Sequence, residues 1–293
     1  MTFDTPTDFR EAVTGFRFKQ VARTRLSSEA IEALAVSVRN RAFFSARVMN
    51  AEFLTNAKGM IDRLLTPRSS KQKRTRTDPA TGKGREVVID VTEGADIAEI
   101  RLALKDYLAQ TGYNPAAKDI GTIKDLSTDG RLNLILKTQS DMARGFGRHQ
   151  QGQDPAILSV FPAQQLFRAE DRNVPRAWKA RWTNAGGRTF GGRMVAMKGD
   201  PIWSAISRFG NPFPPFDFNS GMDIRDVTRT DALAIGLMTT ETPAPTPEPE
   251  PDAFNRNMVA ATSASGDMLD TLLESLGEDF ERKGGKVQQK GGA

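Results

Sequence analysis

Between Pro243 and Pro251 every second residue is a proline. Proline fixes φ and has no N–H to donate, so neither a helix interior nor a central strand can cross this stretch. Alternating proline favours extended polyproline II, here about nine residues at ~3.1 Å each, or roughly 28 Å. The 293-residue chain therefore divides into a body and a tethered tail.

The two parts differ in charge. From Glu241 onward there are ten acidic and five basic residues; the first 240 residues carry 36 basic and 26 acidic ones. The overall +5 thus averages a +10 body and a −5 tail. A basic body points to a polyanion or an acidic surface as partner.

Residue counts also exclude chemistry. With no cysteine there is no disulfide framework, thiolate nucleophile or cysteine-ligated metal. The single histidine, His149, permits no His-rich metal site and reads as a polar loop residue in Gly147-Arg148-His149-Gln150. No run approaches 18 apolar residues, and Met1-Thr2-Phe3-Asp4-Thr5 lacks the pattern of a signal peptide. These features predict a soluble protein, kept in a cytoplasm or in a particle assembled there.

The first 66 residues read as helical. Phe9, Val13 and Phe16 mark a short segment. From a cap at Ser27 or Ser28, Ile31, Leu34, Val38, Ala42, Met49, Phe53, Met60, Ile61, Leu64 and Leu65 recur mostly at helical steps. That predicts one long helix over 28–65, with Gly59 as a point of weakness and Thr66-Pro67 as its stop. Residues 67–95 then read as a β-hairpin arm with a basic tip. Lys71, Lys73, Arg74, Arg76, Lys83 and Arg85 surround the turn-forming Asp78-Pro79-Ala80-Thr81-Gly82, and Val87–Val91 continue as strand. Such closely spaced cations suit phosphate contact or an acidic partner, or they are solvated lysines and arginines that only confer solubility.

Asp96 caps a helix with Ile97, Ile100, Leu104 and Leu108 on one face, ending near Gly112. Another helix starts near Ser127-Thr128-Asp129, striped by Leu132, Ile135, Met142 and Phe146. Beyond residue 155 the pattern becomes mixed. Ile157–Phe167 reads as extended around Pro162, Met194–Met197 and Asp223–Val227 as strands, and Pro201 as the start of a helical turn. Thr230 is the expected cap of a last short helix. Trp178 and Trp182, four apart among arginines, read as a buried anchor pair, with base stacking as the alternative.

The fold class expected is α+β. It comprises an N-terminal helical region (1–66), the arm (67–95), a mixed domain with short strands and long loops (96–240), a Pro/Glu-rich linker (241–265) and a tail (266–293). In the tail, Leu269, Leu272, Leu273, Leu276 and Phe280 fall on one helical face, ahead of a disordered end. This amphipathic helix is suited to docking in a partner's groove, or it folds back on the body. No catalytic residues, metal ligands or cofactor motif emerge. There is no Gly-x-Ser-x-Gly and no His-Glu-x-x-His, and the glycine cluster 186–193 lacks the Gly-Lys-Ser/Thr ending of a P-loop.

One run does carry a resemblance. Lys198-Gly199-Asp200-Pro201-Ile202-Trp203, then Pro214-Pro215-Phe216-Asp217-Phe218-Asn219, is similar to the closing motif of the phage Mu protein F-like family of minor head proteins. Members show an Asp-Pro-Phe-Trp-like run, then a double proline leading to an aromatic and an asparagine. Phe9–Val13, Asn40–Ala46, Gly121–Leu126 and Arg131–Gln139 resemble earlier parts of the family, so the likeness covers roughly residues 8–230. It implies Asp200, Pro201, Trp203, Pro214, Pro215 and Asn219 as a structural motif. It also implies a minor head, or head morphogenesis, protein of a tailed phage or prophage, carried in the capsid near the portal and acting in assembly or genome packaging and delivery. Its partners would be the portal protein and the major capsid or scaffolding protein, with packaged double-stranded DNA at the arm and no membrane. The chain departs from the family where members read His-x-Asn-Cys-Arg-Cys; here Asp217-Phe218-Asn219-Ser220-Gly221-Met222 stands instead. The family core has been likened to ADP-ribosyltransferases, which makes a toxin-like transferase using Arg131 the enzymatic alternative. A plain DNA-binding protein is the third.

Overall fold

A computed structural model describes residues 10–32, 39–40, 42–66, 68–77, 84–93 and 96–247, with short stretches of the tail at 259–261, 270, 273–274, 280–283 and 286–289. Helix α1 (Arg10–Arg17) buries Ala12, Val13 and Phe16. Strand β1 (Gln20–Val21) then pairs in parallel with β2 (Ala42–Phe43). Between them lies α2 (Ser28–Glu32), and β2 leads to α3 (Ala51–Leu65).

The single helix expected over 28–65 is thus interrupted, and not at Gly59, which lies inside α3. The break is the strand at Ala42–Phe43 and a new cap at Asn50, whose side chain accepts from the Phe53 N–H at 2.9 Å. An asparagine cap satisfies one of the donors that a helix start leaves unpaired.

Helix α4 (Ile97–Gln110) begins at the Asp96 cap and buries Ile100, Leu104 and Leu108, as the periodicity predicts. Helix α5 (Asp129–Gln151) begins at the Thr128 cap. Its first half joins a core of Phe16, Phe43, Phe53, Ile61, Leu104 and Leu132. Each such side chain contributes roughly 1.5–3 kcal/mol on full burial, whereas an eight-residue helix such as α1 is not stable alone. Packing, not propensity, holds this layer together. Helices α4 and α5 share this core with α1 and α3.

The arm is an insertion between α3 and α4. Strands β3 (Arg68–Thr77) and β4 (Gly84–Glu93) pair antiparallel along their full length, from Arg68 opposite Glu93 to Thr77 opposite Gly84. Ten residues at ~3.3 Å give a ribbon about 33 Å long.

The second half of the body carries a four-stranded antiparallel sheet in the order β6-β7-β5-β8: β6 (Thr189–Phe190), β7 (Arg193–Met197), β5 (Ala163–Arg168) and β8 (Met222–Val227). The extended reading from Ile157 is corrected at its start. Asp154 caps helix α6 (Pro155–Val160), and the strand begins only after Pro162. One sheet face packs on α7 (Trp178–Asn184) and α8 (Ile202–Ala205) through Leu166, Trp182, Ala196, Trp203 and Phe216. The other packs Ala163, Val195 and Val227 against Ala232 and Met238, from α9 (Arg229–Ala234) and the turn after it. Thr228, two residues before the expected Thr230, caps α9. The protein is α+β, and among the described residues no helix is long and apolar enough to cross a membrane.

The tail departs from its expectation. Asp270, Leu273 and Glu274 are helical, but Phe280 opens strand β10 (Phe280–Lys283), which pairs with β11 (Lys286–Gln289). Strand β11 also pairs with β9 (Val259–Ala261). Phe280 is therefore not the last anchor of a helix, and residues 286–289 are strand where a disordered end was expected. A Gly-Gly pair between two strands is favoured in two-residue hairpin links, so Gly284-Gly285 is a hairpin signal as well as a helix stop. Leu269, Leu272 and Leu276 lie outside the described residues.

Candidate functional site

The residues of the closing motif converge on the sheet. After β7 the chain turns at Gly199 (φ 80°), and the Asp200 carboxylate accepts from the Ile202 N–H at 2.8 Å to open α8 behind Pro201. This places Trp203 on the sheet, 1% exposed, with its indole donating to the Met197 carbonyl at 2.9 Å. Its ring meets Trp182 edge-on at 5.3 Å and stacks near Phe216 at 6.2 Å. Trp178 and Trp182 are both buried, with the Arg181 guanidinium 4.8 Å over the Trp178 ring. The pair is an anchor with an arginine at its rim, not a stacking platform for bases. Nor is the glycine cluster a phosphate loop at its start: a Cβ on Gly187 would lie 2.4 Å from Trp182 Nε1, so glycine there lets the backbone cross the indole.

The double proline seats its loop on α5. The Pro214–Pro215 bond is cis, and the Pro214 carbonyl rests on Gly145, where a Cβ would come within 1.8 Å of it. Phe213 lies 6.0 Å from the Phe146 ring and 5.4 Å from the His149 ring. His149 is therefore a buried residue near the end of a helix rather than a loop residue. Asn219 adopts a left-handed φ of 47°, tolerated by asparagine, and its carbonyl accepts from Arg172 Nε at 2.9 Å.

Asp217 lies at the centre of an arginine cluster. Its side chain is 7% exposed and lies 2.9 Å from Arg181, 3.7 Å from Arg208 and 3.8 Å from Arg176. One oxygen also accepts from the Phe218 N–H at 2.8 Å. Arg176 further donates to the Phe218 carbonyl at 2.9 Å. One carboxylate thus ties its own loop to Arg208 and to the segment that holds Arg176 and Arg181. No sequence signal pointed to it, because Arg176 and Arg181 lie in a distant part of the chain. Among the described residues no three His, Cys, Asp or Glu side chains are grouped to hold a metal ion.

Beside this core is a cavity of about 240 Å³, counting its open mouth, lined by His149, Gln153, Gln164, Lys198, Trp203 and Pro212. The Lys198 ammonium, 3% exposed, lies 2.9 Å from an Asp226 oxygen, an ion contact whose angles do not make a hydrogen bond. The enclosed room is about that of a water molecule, too small for a substrate. Arg131, the arginine that an ADP-ribosyltransferase would turn to a nucleotide, is likewise committed elsewhere. Its guanidinium donates to Ser45 Oγ at 2.7 Å and to the Ala46 carbonyl at 2.8 Å. Burial holds it below the ordinary arginine value, partly offset by Tyr113.

On the arm, the register sets Lys71 opposite Asp90, Lys73 opposite Val88, Arg74 opposite Val87 and Arg76 opposite Arg85; Lys83 lies outside the described residues. The arm and the motif are separate features, one inserted between helices and the other closing the sheet. Comparison of the chain with protein-family models, curated proteins and solved structures finds no match.

Proposed function

We propose that this protein is a non-enzymatic minor head protein of a tailed phage or prophage, carried near the portal, whose arm contacts packaged double-stranded DNA. The observation that carries the reading is the arm: a long two-stranded ribbon, rich in Lys and Arg, inserted between two helices that share a core. An antiparallel ribbon inserted between two packed helices is a suitable carrier for cations that meet a partner. The motif resemblance supports the phage context; of its residues Trp203 lies in the sheet core and the Pro214 carbonyl rests on Gly145. The portal and the capsid or scaffolding protein are the proposed protein partners, with the tail leucines as the docking segment.

The test is binding to a fluorescein-labelled DNA duplex between about 50 and 200 mM salt. Affinity should fall steeply with salt. Changing Lys71, Lys73, Arg74 and Arg76 to Ala should lower the slope of log K against log salt by about 3 to 4, near 0.9 per lost phosphate contact. Binding that is absent, or unchanged in that variant, would remove the arm from the function. For the partner, Leu272→Asp with Leu276→Asp should abolish co-purification with the portal or capsid protein while the body stays folded.

A further inference from the structure

We infer that the end of one sheet face where Arg188 and Arg225 are exposed is a second phosphate-contacting surface for a nucleic-acid strand, formed by Arg188, Arg193 and Arg225 with Phe167 and Phe190. Two arginines from different strands converge there on one neutral atom. Arg193 Nε donates to the Gln165 amide oxygen at 2.8 Å, and Arg225 donates to the same oxygen at 3.0 and 3.3 Å. Their donor nitrogens therefore lie within about 6 Å of each other, and among the described residues neither guanidinium has a carboxylate partner. The acidic residue sharing that end of the sheet, Asp223, is taken by Arg148 at 2.9 and 3.2 Å.

Two of the arginines lie within cation–π range of an aromatic ring. Arg225 lies 5.5 Å over Phe167. Arg188, which also has no carboxylate partner among the described residues, lies 5.5 Å over Phe190. Phe190 is the register partner of Arg193. Arg225 meets Gln165 through Nε and Nη2, which leaves Nη1 to donate to a phosphate oxygen. Arg193 and Arg225 form one close pair and Arg188 precedes β6 at the sheet's other edge, so the cations offer two contact points. Two points suit neighbouring phosphates of one strand better than a single anion. An acidic peptide would supply carboxylates without the spacing or the flat bases that fit between half-buried phenylalanines. Here a buried glutamine stands where an acid would have neutralised the pair.

These residues are independent of the arm, so the test is made in the full chain with Lys71, Lys73, Arg74 and Arg76 changed to Ala. Residual binding of the DNA duplex or of its single strand is measured across salt. Adding Arg193→Gln with Arg225→Gln should lower the remaining slope by about 2, and Arg188→Gln alone by about 1. Arg188 lies outside the strand ladder, so its variant keeps the test valid if the double variant fails to fold. Arg172→Gln, which removes an acid-paired arginine, should leave the slope unchanged. The inference is overturned if no binding remains in the arm variant, if Arg188→Gln does not change the slope, if Arg172→Gln weakens binding equally, or if polyglutamate competes as well as DNA. Arm failure and sheet failure are read from different variants.

Discussion

Gly145→Ala should destabilise this protein even though it places the best helix former inside a helix. In an exposed helix interior, alanine gains about 1 kcal/mol over glycine. At Gly145 the new Cβ would stand 1.8 Å from the Pro214 carbonyl oxygen, 3.0 Å from its carbon and 3.2 Å from Phe213 Cδ2. The obstacle is backbone, so the loop must retreat by more than about 1 Å, drawing Phe213 from Phe146 and loosening Phe216 over Trp203. Overpacking typically costs about 1–3 kcal/mol and sometimes more. With the closest contact so short, the upper end applies, and the net loss is about 2 kcal/mol. Gly59 provides the control. It lies inside α3 with nothing within 4 Å of its would-be Cβ, so Gly59→Ala should gain roughly 0.5–1 kcal/mol. Urea unfolding followed by tryptophan fluorescence is the assay. All three tryptophans of the chain, Trp178, Trp182 and Trp203, are in the one core that the loop closes. Gly145→Ala should lower the midpoint and shift the native emission, whereas Gly59→Ala should raise the midpoint and leave the emission alone. Equal stabilisation by both would mean that the double-proline loop does not rest on α5, and the structural role assigned to the motif would go with it.

Two further outcomes are expected. Asp217→Asn removes the charge that holds Arg176, Arg181 and Arg208 together, and should cost about 1–3 kcal/mol because these arginines are only partly exposed; an unchanged melting temperature would show that the clamp contributes nothing. Lys19 is pushed down from 10.5 to about 8, first by loss of water and then by the nearby Lys58 charge. Between those values the unfolded chain holds a proton that the native state lacks, so this lysine's contribution rises with pH across the window. Lys19→Met should therefore be more stable than the parent at about pH 7, with a gap that narrows by about pH 10; a constant gap would refute the assignment.

What could be read from the sequence was what local pattern determines. The Asp96 cap and the stripe Ile100, Leu104, Leu108 are contiguous, so the helix they define was legible to within a residue or two. So was the arm, whose turn chemistry and strand run are adjacent. The region 28–65 was not, because apolar spacing continues through Ala42 and Phe43, and what makes them strand is pairing with Gln20 and Val21, some twenty residues away. The site divides in the same way. Asp200, Trp203 and Asn219 could be located from their motif, but the Asp217 clamp depends on arginines at 176, 181 and 208. The Gln165 cluster depends on which strand of the sheet lies in the middle. Gly145 carried no signal at all; only the loop resting on it explains why alanine is missing there.

The charge imbalance takes on a more definite meaning once partners are assigned. Several of the body's basic side chains are paired internally: Arg17 with Asp62, Lys105 with Asp129, Lys137 with Asp141 and Glu170, Arg148 with Asp223, and three arginines with Asp217. Apart from the buried Asp217 these are exposed pairs that contribute only about 0–1 kcal/mol each, and the three core clusters of the body are apolar. Salt should therefore weaken any nucleic-acid contact well before it weakens the fold, since counterion release scales with phosphate contacts rather than with buried area. If the duplex is released between about 50 and 200 mM salt while the unfolding midpoint stays fixed, the cations that bind are not those that hold the body together. If the two transitions move together, the arm and the sheet arginines are part of the fold's own electrostatics, and both binding surfaces lose their basis.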